Sequence, residues 1–281
     1  MIPLKTQSLF RPSTRRYFIT IIGVLILVCF LCFIKETGIR HLKWQVGPKG
    51  YFNGTAADDS FMLEHIRTLK LTPPSTEPYN LTKPITYDTS GYGRAPVLDK
   101  LLNNMTGGFF VEAGAYDGER MSNTLHFEHY FGWSGLLIEA NPLLFHQLQT
   151  KHRRAYTIHS CLSLHPVAEM VRFDFPANAL LGRINDKKKE GDLNQCFPLY
   201  SLLLALDRTR VDFFSLDIEG DELKVLKTIP WDKVQIGLIE VEVQHVHEGR
   251  KAVRHYMESV GFTFVQDINL DSIFISKKVF K

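Results

Sequence analysis

The sequence predicts an α/β fold: an open, mostly parallel, Rossmann-like sheet with helices on both faces and a C-terminal antiparallel hairpin, preceded by one transmembrane helix. Three observations predict it. Short apolar runs alternate with helical periodicities from residue 109 to residue 260, the pattern of parallel strands joined by crossover helices. Several of those runs end in an acid, namely Glu112, Glu139, Asp217 and Glu240; charge is expensive inside a buried strand and is displaced to strand ends or to sites. Residues 17–34 read YFITIIGVLILVCFLCFI, with no charge and no proline, close to the ~20 apolar residues that span a bilayer as a helix.

The chain has 281 residues, 44% of them hydrophobic, enough for one good-sized domain with appendages. A net charge of +3 gives no argument for a nucleic-acid partner. Of the four cysteines, Cys29 and Cys32 lie in the apolar run. Cys161 and Cys196 remain, which is neither a disulfide-rich scaffold nor zinc spacing. No internal repeat is visible.

The apolar run lacks a small-residue cleavage site and reads as an uncleaved signal-anchor. Lysine and arginine are nearly balanced across it and do not orient it. Three sequons do: Asn53-Gly54-Thr55, Asn80-Leu81-Thr82 and Asn104-Met105-Thr106 all follow the run, and sequons are glycosylated only in the secretory lumen. The expectation is a single-pass type II protein of the secretory pathway; the resemblance given below implies the endoplasmic reticulum and Golgi membrane, with endosome or plasma membrane as further stations. Its parts are a cytosolic tail at 1–16, the signal-anchor at 17–34, a lumenal stem at 35–90 and a lumenal domain at 91–281.

Residues 35–57 are glycine-rich and read as a linker. Residues 58–71 read as a helix capped by Asp58 or Asp59, with Phe61, Met62, Ile66 and Leu69 near one face. Residues 72–84, TPPSTEPYNLTKP, form an extended spacer. Residues 96–104 form a helix opened by Pro96.

The domain opens with FFVEAGAYDG at 109–118, a strand ending at Glu112 and turning through Gly114 and Gly118. Such a turn brings bare backbone amides close to a ligand. The acid at its head repels a pyrophosphate and suits a ligand with a cationic part. S-adenosylmethionine, with its ammonium and sulfonium, fits. A plain structural turn has the same glycines, so the rest of the chain has to decide.

A helix follows at 121–130, then a strand at 133–140 ending in Glu139, roughly 25 residues past Gly114. An acid about 20 residues past the glycine turn holds ribose hydroxyls in nucleotide-binding α/β units. Asn141-Pro142 starts a helix over 143–151. Residues 155–163 form the third strand, with Cys161, Leu162 and Ser163 where an adenine would lie. Residues 171–175 form a short extra strand, and 181–195, with the lysines at 187–189, a solvated loop. The fourth strand is 211–217, followed by a helix at 221–228. The fifth strand is 235–243, followed by a helix at 250–260. Strands at 262–266 and 272–277 close the domain as a hairpin. Ligands of such sheets bind at the carboxyl ends of the strands near the topological switch point.

FVEAGAYDG, LLIEANP, HSCLS and above all FFSLDIEGDELKVLKTIPWD at 213–232 resemble the FkbM-type methyltransferase domain, a class I S-adenosylmethionine-dependent fold. SNTLHFE, CFPLYSLLLAL and the N-terminal span resemble its animal subgroup that includes the Drosophila protein Star. The resemblance implies that Glu112 and Gly114 contact the methionine part of the cofactor, Gly118 permits the close turn, and Glu139 accepts from the ribose hydroxyls. It places Cys161 and Leu162 near the adenine, and Asp217 by the methionine moiety or the acceptor. Glu219 and Glu240 are candidates for positioning the acceptor. Bacterial members carry D-x-G-A-N-x-G at the first motif, where this chain has Glu112 and Tyr116-Asp117.

Methyl transfer to a hydroxyl needs an in-line acceptor and a base. Asp217 and Glu219 are the candidate catalytic residues; the alternatives are that Asp217 ties down its turn and Glu219 caps the next helix. His245 and His247 alternate as on one strand face, but no third ligand completes a metal site. A charged cofactor does not cross a bilayer unaided, so two functions follow. One is an O-methyltransferase of the secretory pathway. The other, implied by the Star-like resemblance, is a non-catalytic escort for membrane-bound growth-factor cargo between endoplasmic reticulum and Golgi. A disulfide between Cys161 and Cys196 is compatible with both.

Overall fold

The computed structural model describes residues 51–90, 92–174, 183–184 and 192–278. The expected membrane span at 17–34, the tail before it and the lysines at 187–189 lie outside the described residues. Among the described residues no helix is long and apolar enough to cross a membrane.

From Tyr51 on, the stretch read as a stem packs on the domain. Phe52 is buried against Phe197, and β1 (Thr55–Ala56) follows it. The Asp59 carboxylate accepts from the Met62 amide and caps α1 (Ser60–His65). The helix continues through a π-helical turn at Ile66–Lys70 into β2 (Leu71–Thr72). Met62 and Ile66 are buried as the periodicity predicts, but Leu69 is 72% exposed. The wider π turn advances less per residue than an α-helix and carries Leu69 off the buried face. Phe61 stays at the rim, its ring beside that of Phe52.

The domain proper then runs α2 (Ala95–Leu101), β3 (Phe109–Ala113), α3 (Leu125–Phe131), β4 (Ser134–Glu139), α4 (Pro142–Gln149) and β5 (Tyr156–His159). Next come β6 (Cys161–Leu162), β7 (Val167–Asp174), β8 (Arg183–Ile184), β9 (Asp192–Phe197) and α5 (Leu199–Ala205). The chain ends with β10 (Arg210–Leu216), α6 (Glu222–Thr228), β11 (Gln235–Glu242), α7 (Arg250–Ser259), β12 (Phe262–Ile268) and β13 (Asp271–Ser276).

The main sheet has the order β12-β13-β11-β10-β3-β4-β5-β2. Its five central strands, β11, β10, β3, β4 and β5, are parallel; β13 pairs antiparallel to β11, β12 antiparallel to β13, and β2 antiparallel to β5. This is the expected open sheet with its terminal hairpin. From β3 the chain winds outward through β4 and β5, then returns to β10 on the other side of β3, so the switch point lies between β3 and β10. Both faces are covered. Phe214, Leu202, Val253 and Met257 belong to one buried cluster, Phe110, Phe127, Trp133 and Phe213 to the other.

A second sheet, β1-β7-β9-β6 with β8 on β7, departs from the sequence reading. The expected third strand at 155–163 is two: β5 stays in the main sheet, while β6 leaves it to pair with β9. Of the expected loop at 181–195, the described residues 183–184 and 192–195 are strand, β9 running antiparallel to β7. Helix α5 was not expected. Most of LYSLLLA is buried, so no polar stripe marks a helical period. The histidine alternation also fails. Strand β11 ends at Glu242, and His245 and His247 lie in the turn beyond it.

Candidate functional site

At the switch point the turns after β3 and β10 touch. The Asp217 amide donates to the Ala113 carbonyl at 3.1 Å, and the Gly114 amide donates to the Ile138 carbonyl at 3.0 Å. Gly114 has φ +83°, and a Cβ there would lie 1.8 Å from the Asp217 carbonyl oxygen. The approach is therefore reserved for glycine. Above this bare floor opens a cleft walled by the ends of β3, β4 and β10 and by Leu162 and Phe173 of the second sheet.

Glu139 ends β4 and lines the cleft. Its carboxylate accepts from the Tyr116 amide at 2.8 Å and the Asn141 amide at 2.7 Å. Burial outweighs these bonds and raises its pKa to about 7. Glu112 also borders the cleft, but its carboxylate accepts from the hydroxyls of Ser122 and Thr124 and the amide of Asn123. Burial raises it above the ordinary range, against the pull of Arg153 and these bonds. Its bonds shape the turn before α3, and that turn is why α3 starts at Leu125 rather than near Met121.

Gly118 does not line the cleft. Its φ is +76°, and a Cβ there would meet the Leu148 side chain at 2.9 Å, so it seats the turn on α4. Cys161 and Leu162 do line the cleft. Cys161 is bonded to Cys196 in a disulfide that joins β6 to β9 at directly paired positions. Asp117 caps its own turn, accepting from the Glu119 and Arg120 amides.

Asp217 and Glu219 line the other end. Burial, then the charges of Glu219, Glu242, Asp271 and Glu222, push Asp217 well above the carboxylate range. Glu219 has φ +67°, and its Oε2 lies 2.8 Å from His245 Nδ1. A non-glycine residue held in the left-handed region is a strained arrangement often found at functional sites. It does not cap α6, whose N-cap Asp221 makes no side-chain capping bond; Glu222 closes the turn before that helix, accepting from the amides of Ile218 and Gly220. Glu240 is not on the cleft, nor at a strand end as expected: β11 continues past it to Glu242. It lies buried behind Arg94, whose Nη1 is 3.0 Å away.

Arg94 was not foreseen. It is 6% exposed, borders the cleft, and is held by Glu240, Asp271 and the Asn123 side chain. Only the fold brings residue 94 beside residues 240 and 271, so no local pattern marks it. Acids outnumber cations around this end. Asp217, Glu222 and Glu242 each place a carboxylate oxygen within 4.8 Å of the others. Such oxygens suit a hard cation, although Glu222 and Glu242 already accept from backbone amides. The cleft mouth is lined by Tyr92, Met121 and Arg120, whose guanidinium lies over the Tyr116 ring.

A family model described as methyltransferase FkbM domain matches residues 112–264. Among solved structures, a methyltransferase FkbM from Methylobacillus flagellatus is 16% identical with a TM-score of 0.42; the match covers 60% of this chain and 43% of that one. A TehB-like S-adenosylmethionine-dependent methyltransferase from Corynebacterium glutamicum is 14% identical, covering 66% and 89%, with a TM-score of 0.38. TrmK from M. capricolum, in complex with the cofactor product S-adenosyl-homocysteine, is 11% identical, covering 64% and 66%, with a TM-score of 0.32. No curated protein matches in sequence.

Proposed function

Because the chain belongs to the methyltransferase FkbM domain family, we propose that its cleft holds S-adenosylmethionine and that the protein is an O-methyltransferase acting on a hydroxyl acceptor. The observation that carries this reading is Glu139 at the end of β4, one strand away from the glycine-only contact of Gly114 with Asp217. The donor set fits the ligand. Glu139 would hold the ribose hydroxyls with its fixed carboxylate. Cys161 and Leu162 would flank the adenine. The acid-rich end around Asp217 suits a zwitterion with an extra positive charge.

When bound, S-adenosylmethionine supplies an electrophilic methyl on a sulfonium. The remaining work belongs to the protein. Gly114 admits the ligand to the floor, Tyr92 and Met121 border the acceptor side, and Asp217 is the group placed to take the acceptor's proton. Glu219, tied to His245, positions the acceptor. The test is calorimetric titration of the purified full-length protein with S-adenosylmethionine, alongside Glu139→Ala. Saturable binding that the variant loses supports the site; no binding by the wild type rejects it.

A second reading has its own support. A Star-like, non-catalytic escort of membrane-bound cargo between endoplasmic reticulum and Golgi is favoured by the apolar run at 17–34. It is also favoured by the Cys161–Cys196 disulfide, since disulfides persist in oxidising compartments. The sequon asparagines Asn53, Asn80 and Asn104 are all exposed, as glycosylation of a lumenal, type II protein requires. Its test is export of candidate cargo in cells lacking the protein; normal export of every cargo counts against it.

A further inference from the structure

We propose that Asp217 makes the cleft sense ligand charge, giving up a proton when the sulfonium cofactor binds and keeping it when the neutral thioether product binds. This rests on the S-adenosylmethionine reading above.

Four acids surround Asp217, with the Arg94 guanidinium also within electrostatic reach. Glu219 is on its own turn, Glu222 opens α6, Glu242 ends β11 and Asp271 starts β13. One oxygen each from Asp217, Glu222 and Glu242 falls within 4.8 Å of the others. Three basic side chains approach these acids from other elements, and each is committed. Arg94 is matched by Glu240 at 3.0 Å and Asp271 at 2.9 Å, and His245 lies against Glu219. Arg250, at the start of α7, is paired with Asp267. Carboxylates this close do not all ionise together.

Glu222 and Glu242 are pinned by backbone amides from the turns they close, so neither turns away to relieve the repulsion. Asp217 is the member of the three that borders the cleft. Its burial and its acidic neighbours favour the protonated form. A permanent positive charge beside it offsets those neighbours and replaces the proton; a thioether does neither. The two ligands are otherwise alike in their amino-acid and adenosine parts, so the comparison isolates the sulfonium. Asp217 thereby becomes a specificity residue that favours the charged cofactor over the spent one.

The test is titration calorimetry of the full-length protein with S-adenosylmethionine and, separately, S-adenosyl-homocysteine. Each is run near neutral pH in two EDTA-containing buffers of different ionisation enthalpy, which counts protons exchanged. The expected result is release of about one proton on binding the sulfonium and almost none on binding the thioether. Asp217→Asn should abolish that difference and reduce the preference for the sulfonium roughly tenfold or more. Its retained binding of S-adenosyl-homocysteine reports that the cleft is intact. Equal proton release for the two ligands overturns the inference, and so does an unchanged difference in the variant. If the variant binds neither ligand, the wild-type comparison decides alone. Failure of both ligands to bind the wild type is a separate outcome, which removes the cofactor reading and this inference with it.

Discussion

Replacing Gly114 with alanine puts a carbon 1.8 Å from the Asp217 carbonyl oxygen at a φ of +83°. Both turns must move. The expected cost is on the order of 3 kcal/mol or more, read as a fall in melting temperature larger than that of Gly249→Ala, where φ is +81° but the space is open. Glu139→Ala has a different signature. It frees two backbone amides in a half-open cleft and should weaken S-adenosylmethionine about tenfold to a hundredfold with the fold intact, as calorimetry and circular dichroism can show. The acids at strand ends were legible because a buried strand excludes charge unless something holds it. Their individual roles were not. Glu112 and Glu240 are spent on Asn123 and Arg94, partners that only tertiary structure supplies. Gly118 announced a turn correctly, but not that the turn faces α4 rather than the cleft.

The glycine turn is held from outside by Arg153, whose guanidinium donates to the Gly118 carbonyl, the hydroxyls of Ser122 and Thr124, and the Glu128 carboxylate. The Arg153 and Glu128 side chains are fully buried. Removing one member of such a pair leaves a buried charge alone and costs about 3–5 kcal/mol. Arg153→Met should therefore shift the urea midpoint far more than Arg254→Met, which breaks an exposed pair. The disulfide acts on another element. It spans 35 residues, for which chain entropy gives about 4 kcal/mol. Reduction, or Cys196→Ser, should lower unfolding stability by roughly 2–4 kcal/mol and loosen the second sheet before the main one, as hydrogen exchange would resolve. The central strands were readable because apolar runs bounded by turns have few alternatives. Strand β9 was not, since DLNQCF owes its conformation to β7 and β6 rather than to alternation.

At the scale of the molecule, buried acids set the response to pH. Glu139 and Glu222 are raised to about 7 and Asp271 to about 6, chiefly by burial. An acid with a folded pKa above its unfolded one holds its proton more tightly when folded. Stability is then fully present below the ordinary carboxylate pKa and is lost as pH rises through about 7. Glu119 works oppositely. Bonds from Lys151 and Thr82 overcome its burial and hold it near 2, so its contribution is lost only in strong acid. The unliganded protein should be most stable near pH 5 and lose about 1–3 kcal/mol per raised acid by pH 8, less than additively. Denaturation at a series of pH values checks this; a stability that climbs from pH 5 to pH 8 would contradict the burial of these groups.

Two of the shortest strands, β1 and β2, leave a mark on how the protein is made. Thr55 pairs with Ala168 and Leu71 with Ile158, so the segment that leaves the ribosome early waits for partners translated roughly a hundred residues later. Neither sheet can close its edge until then, and long-range pairing of this kind is slow. The nascent chain exposes the apolar side of Met62 and Ile66 throughout that interval. It should be a client of chaperones during synthesis, and arrest of translation before residue 158 should leave it open to protease.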